Sequence, residues 1–153
     1  MTKNLKIKLL IAAFSACIIS SFTLKKDNME IEKIKTSINK NYVHGAFNET
    51  NIDDFKAIFH PEFSIINIQE NGAFFLFTRD LWEDVLKKRK NDEDFDYSNI
   101  AYKAKYKSIE VIENKASVTL DLMLGNTIIY TDFLLLTKIN NEWKIVSKIY
   151  HEH

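Results

Sequence analysis

Apolar residues recur along this chain with two different periods, and the change between them divides it. Ile31, Ile34, Ile38 and Tyr42, with Val43 beside the last, follow Met29 at three- and four-residue steps, while Lys33, Lys35, Asn39 and Lys40 fall elsewhere. That spacing predicts an amphipathic helix. His44-Gly45 is expected to end it, because glycine commonly follows a last helical turn. A second, short helix is predicted over 52–59, with Asn51 as its cap, Asp53 and Asp54 matched to the positive end of its dipole, and Pro61 as its stop. Strands over 63–68 and 73–77, joined by Glu70-Asn71-Gly72, read as a hairpin. Thr78 is placed to cap a third helix over 79–90, whose Leu81, Trp82, Val85 and Leu86 share one side and whose basic tail suits a helix C-terminus.

Beyond a polar loop at 91–96 the period falls to two. Strands over 99–112, 116–124, 127–138 and 143–151 are separated by Glu113-Asn114-Lys115, Gly125-Asn126 and Asn140-Asn141, which predicts an antiparallel meander. In the first of them Lys103, Lys105 and Lys107 alternate with inward-turning Tyr102, Ala104 and Tyr106. In the last, strict alternation puts Trp143, Ile145, Ser147 and Ile149 on one face and Lys144, Val146, Lys148 and Tyr150 on the other. Strand 127–138 is apolar on both faces, with Ile128, Tyr130, Leu134 and Leu136 opposed to Ile129, Phe133 and Leu135. Helices packed on a long antiparallel sheet give the class α+β.

The 153 residues fit one domain, and the formal net charge of zero offers no basic face for nucleic acid. The N-terminus differs from the rest. Lys3, Lys6 and Lys8 precede an uncharged apolar run at 9–19, then Ser20 and Ser21, the order of a secretory signal peptide over 1–23. Export, to the periplasm or the medium, is the expectation. Cleavage there would leave 18 basic against 21 acidic residues. A membrane anchor is the alternative, although the 16 residues at 9–24 fall short of the ~20 that span a bilayer. Cys17, the single cysteine, excludes an internal disulfide, and its Phe14-Ser15-Ala16 setting partly matches a bacterial lipoprotein signal, leaving a lipid anchor as a further alternative.

Tyr42-Val43-His44-Gly45 followed by Asp53, then Ile58-Phe59-His60-Pro61, Tyr130-Thr131-Asp132-Phe133 and Trp143-Lys144-Ile145-Val146-Ser147-Lys148 together resemble the family called putative lumazine-binding, within the nuclear transport factor 2-like superfamily. The resemblance spans nearly all of a domain at 29–151. It implies a cystatin-like cone, in which three N-terminal helices pack on a strongly curved antiparallel sheet around a pocket. That scaffold hosts isomerases, cyclases, dehydratases and transport factors, so it implies no single activity.

Isomerases of this fold use a carboxylate base and hydrogen-bond donors in an apolar pocket. The candidates are Asp132 and Asp121 as base, with Tyr42 or Tyr102 as donor. Asp132 lies mid-strand, and the expected role is an ion pair with Lys148 across the hairpin on the sheet's outer face. Asp121, between Leu120 and Leu122, is equally ambiguous. His60 before Pro61 either caps the second helix or overhangs a pocket mouth. Tyr42, Phe47, Phe63, Phe75, Trp82, Tyr102, Tyr106 and Trp143 supply aromatic surface, of which Tyr42, Phe47, Phe63, Trp82 and Tyr102, with His60, are the expected ligand contacts. His44, His151 and His153 share no metal-ligand spacing with carboxylates, and no cofactor is expected. Phosphate-loop and hydrolase-elbow motifs are missing from 24–153. The leading expectation is an exported, non-catalytic protein that binds a small apolar or aromatic compound, the alternative an isomerase- or cyclase-like enzyme. A homodimer is expected through an outer-face patch of Ile128, Tyr130, Leu134 and Leu136, extended by Val146 and Tyr150.

Overall fold

The computed structural model describes residues 27–69 and 71–153, so the signal segment at 1–23, with Cys17, lies outside the described residues. Helix α1 covers 27–48, and its second half, Ile38–Asn48, is a π-helix. Helix α2 is Ile52–Ile58, with the Asn51 side chain accepting from the backbone N–H groups of Asp53 and Asp54 as predicted. Strands β1 (Phe59–Ile68) and β2 (Phe74–Thr78) form the first hairpin. Helix α3 (Arg79–Lys90) begins at Thr78, whose hydroxyl accepts from Leu81 N–H. A single 3₁₀ turn at Tyr97–Asn99 leads into the meander β3 (Tyr102–Ile112), β4 (Lys115–Leu124), β5 (Thr127–Ile139) and β6 (Glu142–Glu152). Asn140 and Asn141 both take the positive φ expected of a tight hairpin turn. Among the described residues no helix is long and apolar enough to cross a membrane.

Two sequence expectations about the elements are corrected. Helix α1 does not end at His44-Gly45; it runs to Asn48 in the wider π form, and Glu49 N–H closes a five-residue step back to His44 O. Gly45 is there for contact, since a Cβ on it would stand 2.5 Å from Cβ of Asp54 in α2. All three helices precede the meander, with α3 entering between β2 and β3 as the pattern at 79–90 predicts. The sheet is not wholly antiparallel. Its order is β2-β1-β6-β5-β4-β3, and β1 runs parallel to β6 because the chain crosses to the far edge before meandering back.

The sheet is open and bulged, with one extra residue at Lys107 in β3, Ile129 in β5 and Val146 in β6. Each bulge bends its strand and raises the local twist, which curves the sheet around the helices. Its concave face buries Leu120, Leu122, Leu134, Leu136, Trp143 and Ile145 against Ile34, Ile38 and Val43 of α1, Phe55 and Ile58 of α2, and Leu86 of α3.

The Val146 bulge overturns strict alternation along β6. Ile145 pairs with Leu136 and Ser147 with Leu135, so Trp143, Ile145, Lys148 and Tyr150 share the inner face, while Ser147 and Ile149 face out. Leu134, expected in an outer patch, is 1% exposed inside; the outer apolar residues are Phe133, Leu135 and Ile149.

Where α1 meets the β5–β6 hairpin, Glu30 accepts from Trp143 Nε1 at 2.9 Å, Lys138 Nζ at 2.8 Å and Lys33 Nζ at 2.9 Å. Burial opposes its ionisation, but these donors outweigh burial and hold the carboxyl at about 2, against an ordinary 4.5. A carboxyl lowered on folding adds stability that is complete above the unfolded value and lost as pH falls toward the folded one. Urea unfolding of wild type should therefore weaken steadily from pH 5 to pH 2. Glu30→Gln should be less stable at pH 7 by about 2 kcal/mol and flatter over that range.

Gly45→Ala opposes two effects. Helix propensity alone would add about 1 kcal/mol, whereas the contact with Asp54 must push α2 from α1 at roughly 1–3 kcal/mol. A net loss in the same assay is expected; a gain would refute the contact argument.

Candidate functional site

In an ordinary α-helix residues five apart point about 140° away from each other. The π form brings such residues onto one side, and Tyr42 and Phe47 accordingly meet edge to face with centroids 5.2 Å apart. Both turn toward β5 and β6. There Lys148 stands opposite Leu134 and diagonal to Asp132, on the inner face because of the Val146 bulge.

Three polar side chains meet at this point. Tyr42 donates its hydroxyl to Asp132 Oδ2 at 2.6 Å, Lys148 Nζ donates to the Tyr42 oxygen at 2.6 Å, and Nζ lies 2.7 Å from Asp132 Oδ1. Tyr42 and Asp132 are 0% exposed and Lys148 is 4%. Burial lowers the Lys148 ammonium below its ordinary 10.5, with Asp132 opposing; burial and then the Asp132 charge raise the Tyr42 phenol well above 10. Tyr42 thus stays a donor to the carboxylate. The expected Asp132–Lys148 pair exists, but on the concave face rather than the outer one.

Beside the trio opens a cavity of about 310 Å³, lined by Phe47, Ile65, Asn67, Phe75, Phe77, Trp82, Tyr130, Lys148 and Tyr150. The Lys148 ammonium lies 5.1 Å from the Tyr150 ring centroid, 5.7 Å from Trp82 and 5.9 Å from Phe47, all cavity walls, and 5.3 Å from Tyr42 behind. The ammonium therefore forms the inner end, with Tyr42 and Asp132 sealed behind it. Chemically this floor can donate a hydrogen bond. Asp132 has no exposed surface and is not among the residues that line the cavity.

Of the residues singled out from sequence, Phe47, Phe75 and Trp82 line the cavity. Tyr42 reaches it only through Lys148. Phe63 is core, packed at a tilt on Phe59 at 4.5 Å, and Tyr102 packs outside the lining against Phe47 at 5.1 Å, its backbone clamped from both sides by the Asn48 amide. His60 neither caps α2 nor overhangs the mouth; it lies in β1, where its Nδ1 accepts from Glu62 N–H. Tyr106 donates to Lys35 O and Asn39, and Trp143 to Glu30. Asp121 is on the outer face, where Thr131 donates to it at 2.7 Å and Lys107 pairs with it at 2.8 Å. Burial opposes its ionisation, but those partners hold its carboxyl below the ordinary value. Among the described residues no three His, Cys, Asp or Glu side chains cluster as a metal would require.

Sequence reasoning missed Lys148, Ile65, Asn67, Phe77, Tyr130 and Tyr150 as lining. Tyr130 and Tyr150 face each other edge on at 5.6 Å, and Ile65 is the parallel partner of Lys148, so all three follow once the bulge and the β1–β6 pairing are known. Neither has a local sequence signature.

Comparison with known proteins agrees with this architecture. An NTF2-like protein of unknown function from Shewanella baltica OS155 superposes with a TM-score of 0.64 at 25% identity, covering 82% of this chain and 94% of that one. NTF2-like proteins of unknown function from Silicibacter pomeroyi DSS-3 (TM-score 0.63, 19% identity, 82% and 98% coverage) and Methylobacillus flagellatus KT (0.59, 22%, 81% and 92%) share the fold. No curated protein matches significantly. The family model described as "Putative lumazine-binding" matches residues 29–151, most of the sequence, and the chain belongs to that family.

Proposed function

We propose that this protein binds a small, flat, apolar or aromatic compound in the cavity between β1, β2, α3 and the β5–β6 hairpin. The observation that carries the reading is the cavity itself, about 310 Å³ with six aromatic side chains in its walls, a size and lining suited to a small ring system. The family's name points the same way, toward a small ligand. An isomerase- or cyclase-like reaction has weaker support. Its base would have to be Asp132, sealed behind Lys148, or Asp121, on the far face of the sheet. We place the protein outside the cytoplasm, from the signal-like order of Lys3, Lys6, Lys8 and the apolar run at 9–19.

Tetralin, a bicyclic hydrocarbon, is the simplest probe. Wild type should bind it by calorimetry and melt higher in its presence. Asn67→Trp, at an exposed rim position on β1, should fold with an unchanged melting temperature and lose that binding. Absence of tetralin binding to wild type would count against the pocket reading.

We also propose that two copies pair through the outer sheet face. Phe133 (44% exposed), Leu135 (55%) and Ile149 (50%) lie side by side there on β5 and β6, and such a patch favours a partner. Wild type should scatter light as a dimer at micromolar concentration and Leu135→Glu as a folded monomer. Leu134→Glu would instead bury a charge and unfold the domain. A monomeric wild type would refute the pairing.

A further inference from the structure

The cavity has one charged group at its inner end, and the surroundings of that group restrict what can reach it. An ammonium has three N–H donors. One of Lys148 goes to Tyr42 and a second side is taken by the Asp132 contact, leaving one side without a polar partner among the described residues. Around that side stand the rings of Phe47, Trp82 and Tyr150, which are also cavity walls. Their faces stabilise a cation but accept no strong hydrogen bond, so the donor is held ready rather than satisfied.

The sign of the incoming group follows from charge balance. Asp132 already neutralises Lys148, and both are buried. A ligand carboxylate would set a second anion beside one ammonium, away from water, with one negative charge uncompensated. A neutral carbonyl oxygen meets the same donor without that penalty. We propose, resting on the pocket reading above, that the ligand is a neutral ring ketone, lactam or related cyclic carbonyl compound. Its oxygen points inward to Lys148 Nζ, and its ring lies between Trp82 and the Tyr130–Tyr150 pair. The rim groups Asn67 and Tyr150 leave room for further polar substituents at the outer end.

Three probes of similar size separate the possibilities: tetralin, α-tetralone and naphthoate. By calorimetry wild type should bind α-tetralone at least about tenfold more tightly than tetralin, and naphthoate less tightly than α-tetralone, since a hydrogen bond from a charged donor is strong when desolvated. In Lys148→Met/Asp132→Asn, which leaves no lone buried charge and keeps an acceptor for Tyr42, the ketone preference should fall to about onefold while tetralin still binds. The infrared carbonyl stretch of bound α-tetralone offers a readout that needs no variant. It should move to lower frequency in wild type than in hydrocarbon solvent. Equal binding of ketone and hydrocarbon, an unshifted stretch, or a preference that survives in the double variant would each overturn the assignment. Preference for naphthoate would overturn the neutral class in favour of an anion. Failure of tetralin and α-tetralone alike would bring down the pocket reading and this inference together.

Discussion

The buried ammonium of Lys148 is the constraint to which the rest of the concave face answers. A charge removed from water must be neutralised and hydrogen-bonded, and here the partners come from three segments: Tyr42 from α1, Asp132 from β5 and the aromatic walls from α1, α3 and β6. Satisfying it fixes where α1 sits over the hairpin and why α1 widens, since only the π form sends Tyr42 to the carboxylate and Phe47 to the cavity together. A Leu at 148 would fill similar space with less risk.

The residues that local chemistry governs were legible from sequence alone. Asn51 and Thr78 cap their helices because their side chains meet backbone donors two or three residues on, a decision needing no tertiary information. Asn140-Asn141 turns the last hairpin for the same kind of reason, its positive φ being open to Asn. The family, too, was legible from motifs that lie far apart in the chain. Side-chain direction was the failure. A single extra residue at Val146 moves Lys148 and Tyr150 to the face opposite the one that alternation from Trp143 assigns, and nothing in Ile145-Val146-Ser147 marks it. From that slip followed both the misplaced Asp132–Lys148 pair and the misassigned Leu134. The pairing of β1 with β6 was equally hidden, since it depends on where the chain goes between them.

Aromatic residues show how composition misleads about a site. Tyr42, Phe59, Phe63 and Trp82 pack in a chain of contacts 4.5 to 6.0 Å apart, and only Trp82 of the four also faces the cavity. The inner ones hold the wall and the outer ones present it. The types are the same; position relative to the cavity divides them.

The place of β6 in the sheet carries a consequence for how the molecule comes to exist. This strand is sixth in the chain but third in space, between β1 and β5, so β1 and β2 have no connection to the meander until it arrives. During synthesis the first hairpin must wait for its partner strand until the residues near Lys148 have been made, with only Tyr42, Phe55 and Trp82 of the helices for Phe59 and Phe63 to pack on. Pairings so distant in sequence close slowly, because loop entropy is lost before contacts compensate. A chain built in this order completes its sheet only when its last strand has been made.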